Sequence, residues 1–211
     1  ELFSDNLAML GKWCDEHGLL LAGHCILEEV RANMQSFTLR NGDPHLLLKH
    51  FSVPGCDLLG HTVAFLPEKS SIHKKWTNNF NNTIYTAKFV ASTARWSKAE
   101  RSMCEAFGVR GFRYGMASQK LINDFLAGMG INFINDNTLQ YTISETERGS
   151  KHFSVPWWHL YHKFNECSAR LSCFASFGVP AAKTAIMVPL TTIWSRTRSL
   201  NWTGGEFARQ A

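Results

Sequence analysis

Amphipathic helical patterns alternate with short apolar runs along the chain. The helical segments, in which apolar residues recur every three or four positions, are residues 2–17, 44–51, 86–97, 118–129 and 157–177. The apolar runs, most of which lead into polar residues, are 19–24, 56–60, 101–105, 131–135 and 182–190. Runs that are apolar on both sides and separated by helices predict buried parallel strands, and therefore an α/β fold.

Glycine, serine and proline mark the expected ends of these elements. Gly18, Gly130 and Gly178 each follow a helical pattern and predict its end, and Ser118 is a suitable N-cap. The dipeptide Pro54–Gly55 predicts a break just before the second strand. Long polar loops are predicted over residues 66–82 and 136–155.

The number of strand–helix steps bounds the architecture. Four steps in 211 residues are about half of an eight-stranded (β/α) barrel, which typically needs about 250 residues. Two arrangements are open, a half-barrel excerpt of a longer protein and a compact open sheet. We predict the excerpt, with a partial TIM-type parallel (β/α) barrel over residues 1–180. Residues 181–211 would then form a last strand or begin a following domain.

Composition and charge exclude several classes of protein. Hydrophobic residues make up 45% of the chain and charged residues 18%, enough apolar side chain for a packed core. The chain contains no run of 18 or more apolar residues, so the sequence predicts no membrane-spanning helix. The net charge of +5 comes from scattered basic residues, a distribution that argues against nucleic-acid binding.

Missing motifs narrow the chemistry further. The chain has no Gly-rich phosphate loop, so it gives no support to a nucleotide cofactor. Its six cysteines show no CxxC spacing, which argues against a zinc ribbon and favours free buried thiols. The first residues lack the pattern of a signal peptide. The sequence therefore sets no localisation, and a periplasmic or secreted parent protein is compatible with it.

Polar residues gather where the predicted strands end, the edge at which parallel α/β proteins build their sites. Glu105 is the leading candidate, because a carboxylate at the end of a buried strand is costly unless it is paired or hydrogen-bonded. A structural ion pair with Arg101 or Arg110 is the alternative. The other candidates at strand ends are His24, Glu28, Glu29, His61, Asn135, Asp136 and Asn137.

Five short segments resemble segments of large bacterial glycoside hydrolases of the α-L-rhamnosidase type, and they occur in the same order along the chain. The first, WCDEHGLLLAGHCILEE at 13–29, has the order helix, strand, Gly-His and Glu. PGCDLLG at 54–60 is similar to a Pro-Gly-x-Asp segment, and MCEAFG at 103–108 to a strand that ends in Glu. The series is completed by GINFIN at 130–135 and PWW at 156–158. The resemblance extends over most of residues 2–195.

The resemblance implies a barrel-type catalytic domain that hydrolyses a glycosidic bond, in a rhamnoside or a related sugar of plant polysaccharides. Such hydrolysis uses two carboxyl groups, one that protonates the leaving oxygen and one that activates water or attacks the sugar. Glu28 and Glu105 each follow a strand and are the predicted pair, with their roles unassigned. The resemblance favours inversion of configuration. No cofactor is implied.

Other polar and aromatic residues are candidates for binding the carbohydrate. His24, Asn135 and Asn137 would hydrogen-bond sugar hydroxyls, and Trp157 would stack on a sugar ring. Each has a purely structural alternative, such as a capped turn or a ring packed in the core. Asp136 with Glu145 or Glu147 is a weaker candidate for a calcium site, without EF-hand spacing.

Two other functional classes are compatible with the sequence. The chain could be a non-catalytic carbohydrate-binding or structural remnant of the same fold. A metal-dependent hydrolase would need His24, His61 and an acid to converge, and no HExxH or comparable spacing supports it.

Overall fold

The computed structural model describes residues 2–25, 42–59, 80–108, 115–137 and 155–187, together with 189, 191, 192 and 195. The helices in these ranges are α1 (Leu2–Glu16), α2 (Pro44–Leu48), α3 (Phe80–Ser97), α4 (Met116–Met129) and α5 (Tyr161–Phe177). A 3₁₀ turn, Trp158–Leu160, precedes α5. The strands are β1 (Ala22–His24), β2 (Val53–Leu58), β3 (Met103–Ala106) and β4 (Phe133–Asp136).

The strands form one four-stranded sheet in the order β1-β2-β3-β4, and every neighbouring pair is parallel. This confirms the predicted α/β fold with parallel strands alternating with helices. Parallel neighbouring strands need a long crossover connection between them. Helices α2, α3 and α4 each lie in one of the three connections between successive strands.

The hydrophobic core lies between one face of the sheet and the helices packed on it. β2 and β3 contribute Cys56, Leu58, Cys104 and Ala106, each at most 1% exposed. Helices α3, α4 and α5 cover them with Ala87, Val90, Ile122, Leu126 and Phe164. All six cysteines are free thiols, as predicted. Cys14, Cys56 and Cys104 are buried, whereas Cys25 and Cys167 are only partly buried and Cys173 is exposed.

Several element boundaries differ from the predictions. The expected break at Pro54–Gly55 is wrong, because both residues lie inside β2. Gly55 serves close packing instead: a Cβ there would stand 2.7 Å from the carbonyl oxygen of Gly23 and 2.5 Å from Cγ of Met103. Helix α3 begins at Phe80, six residues before the predicted start.

The predicted ends of the helices are mostly confirmed. Gly18 and Gly130 follow α1 and α4 with φ angles of 65° and 102°, a left-handed conformation that glycine adopts at little cost. Gly178 ends α5. The predicted N-cap at Ser118 is wrong: α4 is capped by Gly115 in extended conformation, and Ser118 is buried in the first turn.

The strand predicted over 182–190 is not found in residues 182–187, which have no regular secondary structure and are exposed. An apolar run forms a strand only where a neighbouring strand accepts its hydrogen bonds, and no such pairing of this segment occurs within the described residues. The division of the chain at residue 180 stays a prediction. Among the described residues, no helix is long and apolar enough to cross a membrane.

Candidate functional site

The face of the sheet opposite the helix-packed core carries polar side chains. Asp57, Glu105 and Asn135 occupy the same register position on β2, β3 and β4. Because side chains alternate between faces along a strand, residues in register on parallel strands share a face. His24 lies on this face too, two positions earlier in the register, opposite Gly55. We call these four residues the polar face.

Glu105 is held by two side chains from different strand ends. Nε2 of His24 lies 2.9 Å from Oε2 of Glu105. The side-chain amide of Asn137, just after β4, donates to Oε1. The side chains of His24 and Glu105 are each 22% exposed, so the carboxylate is fixed and remains accessible to solvent. The expected cost of a carboxylate at a strand end is thus met by His24 and Asn137.

The contact between His24 and Glu105 spans an intervening strand. His24 is on β1 and Glu105 is on β3, and β2 runs between them. Neighbouring strands lie about 4.8 Å apart, so the two side chains must reach across β2. Gly55, the β2 residue in register with His24, lies beneath the side chain of Met103, which occupies the space that a Cβ would need.

The backbone after β3 places Asn137 beside Glu105. Phe107 has a positive φ of 73°, unusual for a residue other than glycine, and its buried ring packs edge-to-face on Phe164 at 5.6 Å. The next residue, Gly108, lies against the side chain of Asn137, and a Cβ there would overlap it. The backbone N–H of Asn137 donates to the carbonyl oxygen of Ala106 at 2.9 Å.

Asp57 was not among the predicted site residues, although the structure places it beside Glu105. Its side chain is buried, with 8% exposure, and Oδ1 has no hydrogen-bond partner among the described residues. The sequence did contain a signal, the Pro-Gly-x-Asp segment. The face on which Asp57 lies depends on strand register, however, which the sequence does not show.

The other predicted binding residues have different surroundings. Asn135 is exposed on the polar face. Trp157 is half-buried against the core, and its ring centroid lies 5.8 Å from that of Tyr161. Trp158 stacks on Tyr161 at 5.6 Å and is also half-buried. Both tryptophan rings are thus partly packed against the core, as the structural alternative predicted. A sugar-stacking role for Trp157 stays a prediction.

Some predicted residues lie outside the described part of the chain. These are Glu28, Glu29, His61, Glu145 and Glu147. Asp136, the remaining calcium candidate, alternates with Asn135 and so points to the helix-packed side of β4. Within the described ranges, no group of three or more His, Cys, Asp or Glu side chains is arranged to hold a metal ion.

Comparison with known proteins gives one structural likeness. No protein-family model and no curated protein sequence matches the chain. The structure does superpose on part of the rhamnosidase from Novosphingobium sp. PP1Y, with a TM-score of 0.60. The chain is similar in fold to a segment of a rhamnosidase. The likeness covers 84% of this chain at 17% sequence identity, and only 16% of the rhamnosidase chain.

This likeness to a rhamnosidase segment confirms, at the level of the fold, the resemblance that the five sequence segments suggested. At 17% identity it concerns the course of the backbone rather than the chemistry of individual side chains. The chain corresponds to about a sixth of the matched rhamnosidase. The polar face must therefore support any functional assignment by its own geometry.

Proposed function

We propose that this chain carries part of the active site of a glycoside hydrolase that acts on α-L-rhamnosides or a related sugar of plant polysaccharides. The observation that carries the proposal is the Glu105 carboxylate, held by His24 and Asn137 on a polar, partly exposed sheet face. The similarity in fold to a rhamnosidase segment supports the choice of sugar class.

Glu105 is one of the two carboxyl groups that the reaction requires. Its position at the end of β3 is the usual location of catalytic residues in parallel α/β proteins. Glu28, four residues beyond the end of β1, is the proposed partner. Because Glu105 already contacts His24 of β1, a residue that follows β1 is well placed to face the same cleft. For inversion the two carboxyl groups would stand about 6.5–9.5 Å apart, which leaves room for a water molecule.

The remaining polar-face residues would bind and orient the sugar. Asn135, exposed next to Glu105 in the register, offers both a donor and an acceptor to a sugar hydroxyl. Asn137 donates one amide N–H to Glu105. Its second N–H and its carbonyl oxygen are suited to hydrogen-bond a sugar hydroxyl. Trp157 would contribute the apolar surface on which a sugar ring packs.

A non-catalytic carbohydrate-binding role is the second candidate. The observation that leaves it open is the 17% sequence identity, at which the fold is shared without the side chains of the rhamnosidase. In this role the polar face would bind sugar hydroxyls without transferring a proton. The two candidates differ in turnover but not in binding.

Turnover of 4-nitrophenyl α-L-rhamnopyranoside tests the proposal. Glu105→Gln should reduce turnover by about 10²–10⁴-fold, because the amide keeps the shape but cannot donate or accept the proton. The matched control is Glu16→Gln, which changes an exposed carboxylate that pairs with Lys12 at 3.7 Å on α1. This control should turn over the substrate at the unmodified rate.

Calorimetric titration with L-rhamnose separates the two candidate roles. Binding without turnover favours the non-catalytic role. Neither turnover nor binding would refute both roles, and equal activity of Glu105→Gln and Glu16→Gln would refute the role of Glu105.

A further inference from the structure

The two ring nitrogens of His24 contact different acceptors. Nδ1 lies 2.5 Å from the backbone carbonyl oxygen of Cys25, and Nε2 lies 2.9 Å from Oε2 of Glu105. A carbonyl oxygen can only accept a hydrogen bond, so Nδ1 must carry a hydrogen. This contact assigns the tautomer: a neutral His24 is protonated at Nδ1, and its Nε2 is then a bare acceptor.

A bare Nε2 cannot form a hydrogen bond with an ionised carboxylate, because both groups only accept. The 2.9 Å contact therefore needs one additional proton between the two atoms. The proton is bound either to Nε2, which gives imidazolium and carboxylate, or to Oε2, which gives neutral imidazole and carboxylic acid. The two forms have the same total charge and differ only in the position of that proton.

We infer that His24 and Glu105 share one proton across the Nε2–Oε2 contact, and that His24 is the positioning residue that delivers this proton through Oε2 of Glu105. The use of the proton in catalysis rests on the proposed hydrolase function. Asn137 orients the carboxyl group, because its amide N–H donates to Oε1 and so leaves Oε2 as the oxygen that faces His24.

The groups around the pair come from all four strands. Asp57 on β2 is the titratable side chain next to Glu105 in register. β4 contributes Asn135 in register and is followed by Asn137, both neutral amides. β1 and β3 contribute His24 and Glu105 themselves. None of these neighbouring groups on the described strands is a cation.

The shared proton assigns Glu105 the role of general acid. In the hydrolysis, the proton leaves Oε2 for the glycosidic oxygen as the bond from the anomeric carbon to that oxygen breaks. The electron pair of that bond stays on the leaving oxygen, which becomes a hydroxyl. Water adds to the anomeric carbon, and its proton passes to the second carboxylate. Glu105 is then left ionised against a bare Nε2, an arrangement that favours uptake of a new proton from solvent.

Nitrogen NMR of the chain labelled at histidine tests the shared proton directly, because long-range ¹H–¹⁵N spectra distinguish the two neutral tautomers from imidazolium. We expect His24 to show a proton at Nδ1, with Nε2 protonated or hydrogen-bonded. The variant His24→Gln identifies its signals. A neutral ring protonated only at Nε2 would overturn the inference, whether or not the chain turns over rhamnosides.

Glu105→Gln and a second histidine supply the matched comparison. The new amide can donate to a bare Nε2, so the variant should hold His24 as neutral imidazole with the proton at Nδ1 and bind one proton fewer. His17 also places Nδ1 against a backbone carbonyl, that of Trp13 at 2.7 Å, and it lies on the exposed end of α1. Its signals should not change in the Glu105 variant. An unchanged His24 spectrum in this variant would contradict the shared proton.

Kinetics of His24→Gln test the positioning role. The amide keeps a donor near Glu105 but cannot bind the extra proton. We expect kcat to fall by about tenfold or more with little change in KM, and the alkaline limb of the kcat profile to move to lower pH. A fall in activity with an unchanged pH profile would show a structural role and would contradict the inference.

Discussion

The two faces of the four-stranded sheet differ in their chemistry although they are built from adjacent residues. On one face, Cys56 and Cys104 are fully buried under helices α3, α4 and α5. On the other, one residue further along each strand, Asp57 and Glu105 stand in register. The helix-packed face holds the fold together by burial, and the polar face holds the Glu105 carboxylate by hydrogen bonds. Adjacent strand positions can therefore carry separate tasks, stability on one face and chemistry on the other.

Truncation of a core side chain should have the largest effect on the free energy of unfolding. Leu126 of α4 is fully buried against the sheet, whereas Leu121 of the same helix is 45% exposed. Leu126→Ala should reduce the free energy of unfolding by about 2–5 kcal/mol, because it removes buried methyl groups and leaves a cavity. Leu121→Ala should change it by less than about 0.5 kcal/mol. Urea denaturation measures both, and similar losses would contradict the assignment of the core to this face.

A methyl group at Gly55 tests the packing beneath the polar face. Gly55→Ala should destabilise the protein by about 1–3 kcal/mol, since the new Cβ meets the Gly23 carbonyl oxygen and the Met103 side chain. Gly128, exposed on α4, has nothing within 4 Å of an added Cβ. Gly128→Ala should stabilise the protein by about 0.5–1 kcal/mol, because alanine favours helix. Thermal unfolding should thus show shifts of opposite sign, and two shifts of the same sign would refute the close approach at Gly55.

Protonation of His45 should make the stability of the fold sensitive to acid. Burial of the ring beside Phe89 lowers the pKa of His45 below its ordinary value, and nearby Asp43 opposes this only in part. The unfolded chain takes up the proton near pH 6.5, while folded His45 resists it, so stability should fall as the pH drops below 6.5. The slope of unfolding free energy against pH should be shallower in His45→Gln. An equally steep slope in that variant would place the acid sensitivity elsewhere.

Much of the fold could be predicted from the sequence because its signal is local. Four of the five apolar runs overlap a real strand, and the alternation with helices correctly indicated parallel pairing. The errors arose where tertiary contacts override local preference. Pro54 and Gly55 have the composition of a turn but lie within β2, where close packing requires a residue without a side chain. The run at 182–187 has the composition of a strand but has no pairing partner among the described residues.

The candidate site was predictable only in part, for a related reason. Glu105 and His24 could be identified because they end strands, and strand ends meet at one edge of a parallel sheet. Their direct contact could not, because it depends on the register of β1, β2 and β3. Asp57 was missed because the predicted strand 56–60 placed it near the start of the strand, whereas it is the next-to-last residue of β2, in register with Glu105.

Mapping of sugar binding residue by residue tests most directly whether the polar face is the functional one. The measurement is a titration of the ¹⁵N-labelled chain with L-rhamnose, followed by backbone amide NMR. We expect the backbone amide signals of His24, Glu105 and Asn135 to shift with a common binding curve. Those of Cys56 and Cys104 should move little. Shifts centred on the helix-packed face, or no shifts as the sugar approaches solubility, would contradict it.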